Sequence, residues 1–542
     1  MDRRHTDPVK ERTTSSTSDN SITEYVNDAF EDSELQLSKV VSVNVEKDLT
    51  WVKNPISDLP ESKSNKNLQN FVDTTESEKC IEEPIALLHI RKMYLAAFVV
   101  LLFAVCMGMT ATYSATATVD MGKPHSTIKP DDEEISWIGS LMAIGALFGG
   151  FAASFLTNYL GRKGTLMFNT IPSVAGWCMI AYADTLGMIY AARIVTGFCT
   201  GVISVATPMY LVEISTPEVR GLLGSSFQLF VVTGVLFIAG LGSVLTWRHS
   251  AVASAITCLV AAALMVPMPE SPKWLISKEK RNEAKKAIIF LQGKEFDTEG
   301  ELYNMEEEIK SQPKSSVQLK ELAYPEFYKP LIYSVLLMFF QQFSGVNAIM
   351  FYCAKIFENA KSSMDSIQAT IVVAVVQVIA TLAASLLMDK AGRKILLMTS
   401  SVFMAISLII FGGFSFAKYE DETIVLKYGW VPLLCLMSFI AAFSLGFGPA
   451  PWLMVAEMTS ARFRGVISGS ATTLNWCFVF MVTKLYHAEE QLLHDFGVYF
   501  SYSVICVISI FFTYFWLPET KGKTLEEIQE RFRKSSILSV QN

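Results

Sequence analysis

Charged residues are scarce in this chain. Asp, Glu, Lys and Arg make up 18% of its 542 residues, whereas they make up roughly 25% of a typical soluble domain. Hydrophobic residues, in contrast, make up 51% of the chain. The net charge of −7 indicates no basic surface that would bind nucleic acid. These values argue against a soluble protein and favour a membrane protein.

The sequence also lacks the groups that most enzymes and metal proteins use. Of nine cysteines, one lies in a polar N-terminal stretch and the others lie within apolar runs, at spacings typical of neither a disulfide framework nor a zinc site. An intramembrane enzyme needs a nucleophile, an acid–base pair or a metal cluster within its spans. No such set is visible, so we expect neither enzymatic activity nor a cofactor.

Long apolar runs are what the chain does contain. A helix needs roughly 20 apolar residues to cross a bilayer, and twelve runs of that kind occur. They lie at about 92–114, 135–158, 165–183, 186–209, 221–242, 249–267, 329–354, 366–388, 395–416, 429–454, 464–485 and 496–517. Lys and Arg are concentrated in the linkers after the even-numbered runs, which places those linkers and both termini in the cytosol. The sequence therefore predicts an all-α, multi-pass membrane protein of twelve spans.

Three motifs occur twice, in the same order. Gly161-Arg162-Lys163 recurs as Gly392-Arg393-Lys394, an acid seven residues before an Arg-Gly pair recurs, and Pro269-Glu270-Ser271 recurs as Pro518-Glu519-Thr520. Repeated halves are typical of secondary transporters, which hold their substrate between the halves near the membrane midplane. We expect a disordered cytosolic tail at 1–90, six-helix bundles at 91–268 and 329–518, a cytoplasmic helical linker at 269–328 and a cytosolic tail at 519–542.

The repeated charges lie in cytoplasmic loops and are candidates for gating. Exposed ion pairs are worth about a kcal/mol, so loops that hold the two halves together through them can separate again during turnover. The candidate acids are Glu213, Glu270, Glu457 and Glu519, and the candidate bases are Arg162, Arg220, Arg393 and Arg464. The alternative is that these charges only set the topology and are solvated.

Arg193 is the clearly intramembrane charge. An arginine at that depth costs about 2.5–3.5 kcal/mol, so it should face protein or water and have a partner. We expect Arg193 to hold the fourth span against a neighbouring helix, and direct contact with substrate is the second possibility.

Amides dominate the other polar groups inside the spans. They donate and accept hydrogen bonds without charge, which matches the hydroxyl groups of a sugar. Gln341, Gln342 and Asn347 surround Ser344-Gly345, where an irregular stretch lining a cavity is expected. Helix–helix contact through buried amides is the alternative.

Aromatic side chains are candidates for stacking on sugar rings, namely Trp452, Trp476, Phe351 and Tyr352. The Gly448–Trp452 segment should break or kink span ten, because proline removes a backbone hydrogen-bond donor.

These motifs together resemble the sugar-porter branch of the major facilitator superfamily, over about residues 91–523. The resemblance implies that the substrate-binding residues are Gln228, Gln341, Gln342, Asn347, Gln377, Trp452 and Asn475. The Gly446–Trp452 run and Gln377 are most similar to insect facilitated trehalose transporters. The implied function is uncoupled transport of a neutral sugar across the plasma membrane by alternating access, with trehalose as the first candidate and no obligate protein partner.

Proton coupling can be judged from an absence. Proton-driven relatives carry an aspartate in span one, whereas no acid occurs here between Lys92 and Asp120. Because an intramembrane carboxylate is the usual proton relay, we expect facilitated diffusion. The alternatives are a glucose or hexose facilitator, a proton-coupled symporter, a non-transporting sugar sensor and a pore.

Overall fold

A computed structural model describes residues 66–532, apart from gaps at 125, 217–218, 294–295, 312–320, 323, 354–355, 358–365, 422, 460–462, 524–526, 529 and 531. The elements in this part of the chain are helices. The expected N-terminal tail falls outside the described residues at 1–65, and the C-terminal tail does so at 533–542. Residues 66–90, which complete the expected disordered tail, are helical, and helix formers such as Glu76, Glu82 and Glu83 favour this extension.

The N-terminal half contains six long helices. They are α1 Lys66–Met121, α2 Asp132–Leu160, α3 Arg162–Ala181, α4 Leu186–Ile214, α5 Arg220–Val244 and α6 Trp247–Met265. Asp131 begins α2 with a capping box, in which its carboxylate accepts from Glu134 N while the Glu134 side chain accepts from Asp131 N. We call the end of the bundle where α2 begins the Asp131 end, and the end where α2 gives way to α3 the Arg162 end.

Three short helices link the halves. They are α7 Pro272–Ser277, α8 Arg281–Gln292 and α9 Thr298–Ser311. Ion pairs connect them: Lys273 Nζ lies 2.6 Å from Glu308, and Lys285 Nζ lies 2.7 Å from Glu299. The hydrogen bond from Lys285 lowers the pKa of Glu299. The predicted helical character of the linker is confirmed.

The C-terminal half repeats the pattern with two interrupted helices. Its elements are α10 Pro325–Phe343, α11 Val346–Phe351, α12 Ser366–Ala391, α13 Arg393–Glu420, α14 Ile424–Tyr428, α15 Val431–Leu445, α16 Ala450–Met458 and α17 Arg464–Phe515. Gly345, at φ 86°, separates α10 from α11. The predicted break in span ten lies between α15 and α16, where the Gly448-Pro449 pair interrupts the helix.

Ten helical segments of the described chain are long and apolar enough to cross a membrane. One of them, Gly465–Phe515, has 51 residues and would extend about 77 Å as a straight helix, more than twice the ~30 Å hydrocarbon core. His494 breaks it at φ 58° and ψ 168°, so it corresponds to predicted spans eleven and twelve. The predicted third span is α3, which is not among the ten; Arg162, Lys163 and Asn169 lower its hydropathy. The full count of twelve therefore stays a prediction.

Each half has its own large hydrophobic core. Close helix packing within the N-terminal half depends on glycine. A β-carbon at Gly145 would lie 2.1 Å from the Ile194 carbonyl oxygen, and one at Gly197 would lie 2.1 Å from the Met142 carbonyl oxygen. The backbones of α2 and α4 therefore touch, and both helices are held in fixed register.

Candidate functional site

Four of the predicted amides form one hydrogen-bonded cluster, the amide network of Gln341, Gln342, Asn347 and Asn475. Gln342 Nε2 donates to Asn475 Oδ1 at 2.7 Å and to Gln341 Oε1 at 3.3 Å, and Gln342 Oε1 accepts from Asn347 Nδ2. The network joins α10, α11 and the first arm of α17, by which we mean the part of that helix before its break at His494. Gln342 is its centre, because all three other amides contact this side chain.

The amide network is also tied to the break in span ten. Gln341 Nε2 donates to the Phe447 carbonyl at 2.7 Å and to the Gly448 carbonyl at 3.1 Å. These carbonyls lie between α15 and α16, where the interruption of the helix leaves them without their usual partners. The two broken helices of this half are therefore fastened to each other at the site.

Some polar atoms of this region remain available. Within the described part of the chain, Asn475 Nδ2 and Asn347 Oδ1 have no hydrogen-bond partner. Gln377 on α12 is 6% exposed and its Oε1 atom is unpartnered. An unpartnered buried acceptor such as Gln377 Oε1 costs free energy unless something binds it. A donor, an acceptor and a further amide are thus present for a hydroxyl-bearing ligand.

The structure does not join the remaining predicted site residues to the amide network. Gln228 is half-buried on α5, which packs against α12 from the other half. Trp452 is half-buried on α16 and packs against a small core cluster formed by Met338, Val455 and Ala471. Gln228, Gln377 and Trp452 therefore stay predicted site residues without a contact that links them.

The aromatic candidates lie at the seam between the halves or beside it. Trp476 packs against Met142, Ala143 and Ala146 of α2. Tyr352 instead stacks on Tyr486 within its own half, at 4.5 Å between ring centroids. We call the surface where α2 meets the C-terminal half the seam. Beside Trp476 this seam is filled by protein side chains.

The seam is also closed nearer to the Asp131 end. A β-carbon at Gly139 of α2 would lie 2.2 Å from Cζ of Phe351 on α11, so the ring lies directly on the glycine. Sequence reasoning missed this contact, because a single glycine and a single phenylalanine form no recognisable motif. The halves are thus in contact on the Asp131 side of the amide network.

The predicted ion pairs form, but within each half. Arg162 Nη2 lies 2.7 Å from Glu213 Oε1 in the N-terminal half, and Arg393 Nη2 lies 3.0 Å from Glu457 Oε1 in the C-terminal half. The expectation that these charges join the two halves does not hold for either pair in this conformation. Arg220 and Arg464 begin α5 and α17, and their side chains fall outside the described residues.

The other two predicted acids bind backbone rather than arginine side chains. Glu270 accepts from the N–H groups of Arg162, Lys163 and Gly164 at 2.9, 3.1 and 3.2 Å. Glu519 likewise accepts from Arg393 and Lys394 at 3.2 and 3.1 Å. A carboxylate is favoured at a helix N-terminus, where backbone N–H groups lack partners and the helix dipole is positive.

A glycine makes each of these carboxylate sites possible. Gly161 has φ 85° and Gly392 has φ 93°, a left-handed conformation that residues with a side chain rarely adopt. A β-carbon at Gly161 would also lie 2.3 Å from Glu270 Oε2. The duplicated Gly-Arg-Lys motif therefore encodes a turn that exposes helix N–H groups to the duplicated glutamate.

We expect Glu270→Gln to lower the free energy of unfolding by about 1–3 kcal/mol, because a neutral amide replaces a charged acceptor of several N–H groups. The measurement is the Tm of the purified protein in detergent, where the variant should unfold a few degrees earlier. Glu283→Gln is the control, since its ion pair with Lys280 is largely exposed. An unchanged Tm for Glu270→Gln would show that the carboxylate charge is dispensable there.

Arg193 is fully buried and links three helices. Its Nε atom donates to the Ile138 carbonyl of α2 at 2.9 Å, and its Nη1 atom donates to the Thr110 carbonyl of α1 at 3.0 Å. Its partners are backbone carbonyls, which agrees with the expected role of holding α4 against its neighbours. Thr110 itself was not predicted. It lies beside the arginine within the stretch where the sequence lacks an acid.

Known proteins resemble the chain over most of its length. The family described as "Sugar (and other) transporter" matches residues 92–532. The facilitated trehalose transporter Tret1 of Bombyx mori is 38% identical over 443 residues, which cover 82% of this chain and 87% of that protein. The protein of the same name from Drosophila virilis is 37% identical over 463 residues, covering 84% of this chain but only 50% of that longer protein.

A solved structure shares the architecture. The inward-open xylose transporter XylE of E. coli aligns with a TM-score of 0.67 and 21% sequence identity, over 81% of this chain and 99% of that one. At this identity the likeness establishes the fold alone.

Proposed function

Because this chain belongs to the sugar transporter family and has the major facilitator fold, we propose that it carries trehalose by facilitated diffusion. Its relatives are transporters rather than enzymes, and the chain is a multi-pass membrane protein. Trehalose is chosen because the Bombyx mori and Drosophila virilis relatives are named for it.

The amide network is the observation that supports a neutral, hydroxyl-rich substrate. Its spare donor on Asn475 and spare acceptor on Asn347 suit a hydroxyl group, which donates and accepts at once. A charged substrate would require a counter-charge, and the network contains none. The proposed substrate-binding set comprises Gln228, Gln341, Gln342, Asn347, Gln377, Trp452 and Asn475.

In the proposed cycle the halves rock around this site and expose it to one side of the membrane at a time. The Arg162 end carries the repeated Lys and Arg residues, so we assign it to the cytosol, and we assign the Asp131 end to the outside of the plasma membrane. The closed seam between Gly139 and Phe351 then corresponds to a conformation shut towards the outside. Neither the ion pairs nor the backbone-bound carboxylates need to break when the halves move, because each set lies within one half.

The test is uptake of labelled trehalose and labelled glucose by oocytes that express the chain, with surface expression measured in parallel. Saturable trehalose uptake would support the proposal. Saturable glucose uptake without trehalose uptake would keep the carrier and overturn the substrate. Absence of both, with the protein at the surface, would contradict transport of these sugars altogether.

We expect uptake to be equal at pH 5.5 and 7.5, and Thr110→Asp to slow uptake at both values. The Thr110 carbonyl accepts from the buried Arg193 guanidinium, so a carboxylate at position 110 would lie near that charge. A neighbouring guanidinium keeps a carboxylate ionised, so the new ion pair would hold α1 to α4 at both pH values. Uptake by the variant should therefore be several-fold slower than wild-type uptake at either pH.

Thr110→Asn is the matched control, since it has the same shape but no charge. Equal uptake by the two variants would show that the added carboxylate does not act through its charge. A pH-dependent wild-type chain would contradict the uncoupled mechanism itself.

A further inference from the structure

A lysine and a tryptophan meet across the seam between the two halves. Lys484 belongs to the first arm of α17, and its Nζ atom lies 4.0 Å from the centre of the Trp137 ring in the first turns of α2. Both side chains are half-buried. A cation at this distance over an indole face is attracted by the negative charge density of the ring, more strongly where water is partly excluded.

The position of this contact connects it to the closed state. On α2, Trp137 lies two residues before Gly139, which carries the Phe351 ring, and about a turn and a half before Met142 and Ala143, which pack on Trp476. All of these contacts join α2 to the C-terminal half. Lys484 and Trp137 are the pair nearest to the Asp131 end in this series, so any separation of the halves there must part them.

We propose that Lys484 and Trp137 form a latch that stabilises the conformation closed at the Asp131 end. The proposal rests on the proposed function, since it requires that the two halves separate at this end during transport. The duplicated ion pairs cannot serve as this latch, because they lie within single halves. A cation–π contact suits the role because it is weak enough to break in every cycle and loses its energy once the ring moves away.

The proposed latch requires a different property from each of its two side chains. Lys484 contributes a positive charge, so arginine should replace it, whereas methionine, of similar length but uncharged, should not. Trp137 contributes an aromatic face, so phenylalanine should replace it in part and leucine should not.

The experiment measures how often the seam opens, using a cysteine that the closed state hides. Ala143→Cys is the reporter because Ala143 is 1% exposed and lies in the seam. The background carries Cys178→Ser, which removes an exposed thiol. A membrane-impermeant maleimide is added outside intact cells, and the labelling rate is normalised to surface protein.

We expect Lys484→Met and Trp137→Leu each to raise the labelling rate two- to fivefold, and Lys484→Arg to leave it within twofold of the parent. The double variant Lys484→Met/Trp137→Leu should label no faster than the faster single variant. Either substitution alone already removes the cation–π contact, so the second has no further contact to remove. Rates that multiply in the double variant would overturn the latch, as would equal rates for Lys484→Met and Lys484→Arg.

Gly139→Trp separates failure of the latch from failure of the proposed function, because labelling requires no sugar. If Gly139→Trp raises labelling and Lys484→Met does not, the latch is wrong while opening at this end stands. If Gly139→Trp also leaves labelling unchanged, the proposed opening of the Asp131 end is wrong, and the latch with it.

Discussion

Gly139→Trp is expected to abolish sugar uptake while the folded protein still reaches the cell surface. The seam at Gly139 has no space for any side chain, since even a β-carbon would lie 2.2 Å from the Phe351 ring. An indole there would hold α2 and α11 apart, so the Asp131 end could not close. A carrier that cannot close on one side cannot release its substrate on the other, and uptake should fall to the level of uninjected oocytes.

Gly187→Trp is the matched control for this substitution. Gly187 begins α4 near the Asp131 end, is exposed, and a β-carbon there would meet no atom within 4 Å. The same glycine-to-tryptophan change should therefore leave uptake close to that of the wild-type chain. Normal uptake by Gly139→Trp would contradict the view that this contact must form during transport.

Gln342→Ala is expected to reduce uptake at least tenfold. The substitution would remove the centre of the amide network and leave Gln341 Oε1, Asn347 Nδ2 and Asn475 Oδ1 without their partner. Each unsatisfied buried polar group costs about 1–3 kcal/mol, and 1.4 kcal/mol corresponds to a tenfold change in an equilibrium constant. The site would thus lose both its geometry and one of its hydrogen-bonding side chains.

The measurement is the concentration dependence of trehalose uptake, normalised to surface protein. Gln342→Asn, one methylene shorter, should retain part of the activity. Gln491→Ala should retain all of it, because that amide is exposed and its hydrogen bond is to the nearby His487. Wild-type uptake by Gln342→Ala would show that the amide network does not form the substrate site.

The sequence predicted the local breaks well because their causes are local. Gly345 adopts a left-handed conformation, and the Gly448-Pro449 pair cannot continue a helix, so both interruptions lie where they were expected. Gln341, Gln342, Asn347 and Asn475 contact one another because buried amides in a membrane need partners. That they bind substrate stays a prediction. That Gln342 is their centre was not predictable, because it depends on how α17 packs against α10.

The charges show where sequence patterns stop being informative. Four acids and four arginines at repeated positions suggested four acid–arginine pairs, yet Glu270 and Glu519 bind backbone N–H groups. A sequence motif predicts which residue types lie near one another. It does not predict whether a carboxylate binds an arginine side chain or a backbone N–H group. The Lys484–Trp137 contact carried no signal at all, since it joins two helices of different halves that are distant in the chain.

At the Arg162 end, each half satisfies its buried charges through contacts of its own. The N-terminal half closes its own set of contacts through Arg162, Glu213 and Glu270, and the C-terminal half closes an equivalent set through Arg393, Glu457 and Glu519. Each half therefore satisfies these groups without help from the other. The amide network and the lysine on its tryptophan have no such counterpart within the described contacts, so they distinguish one half from the other.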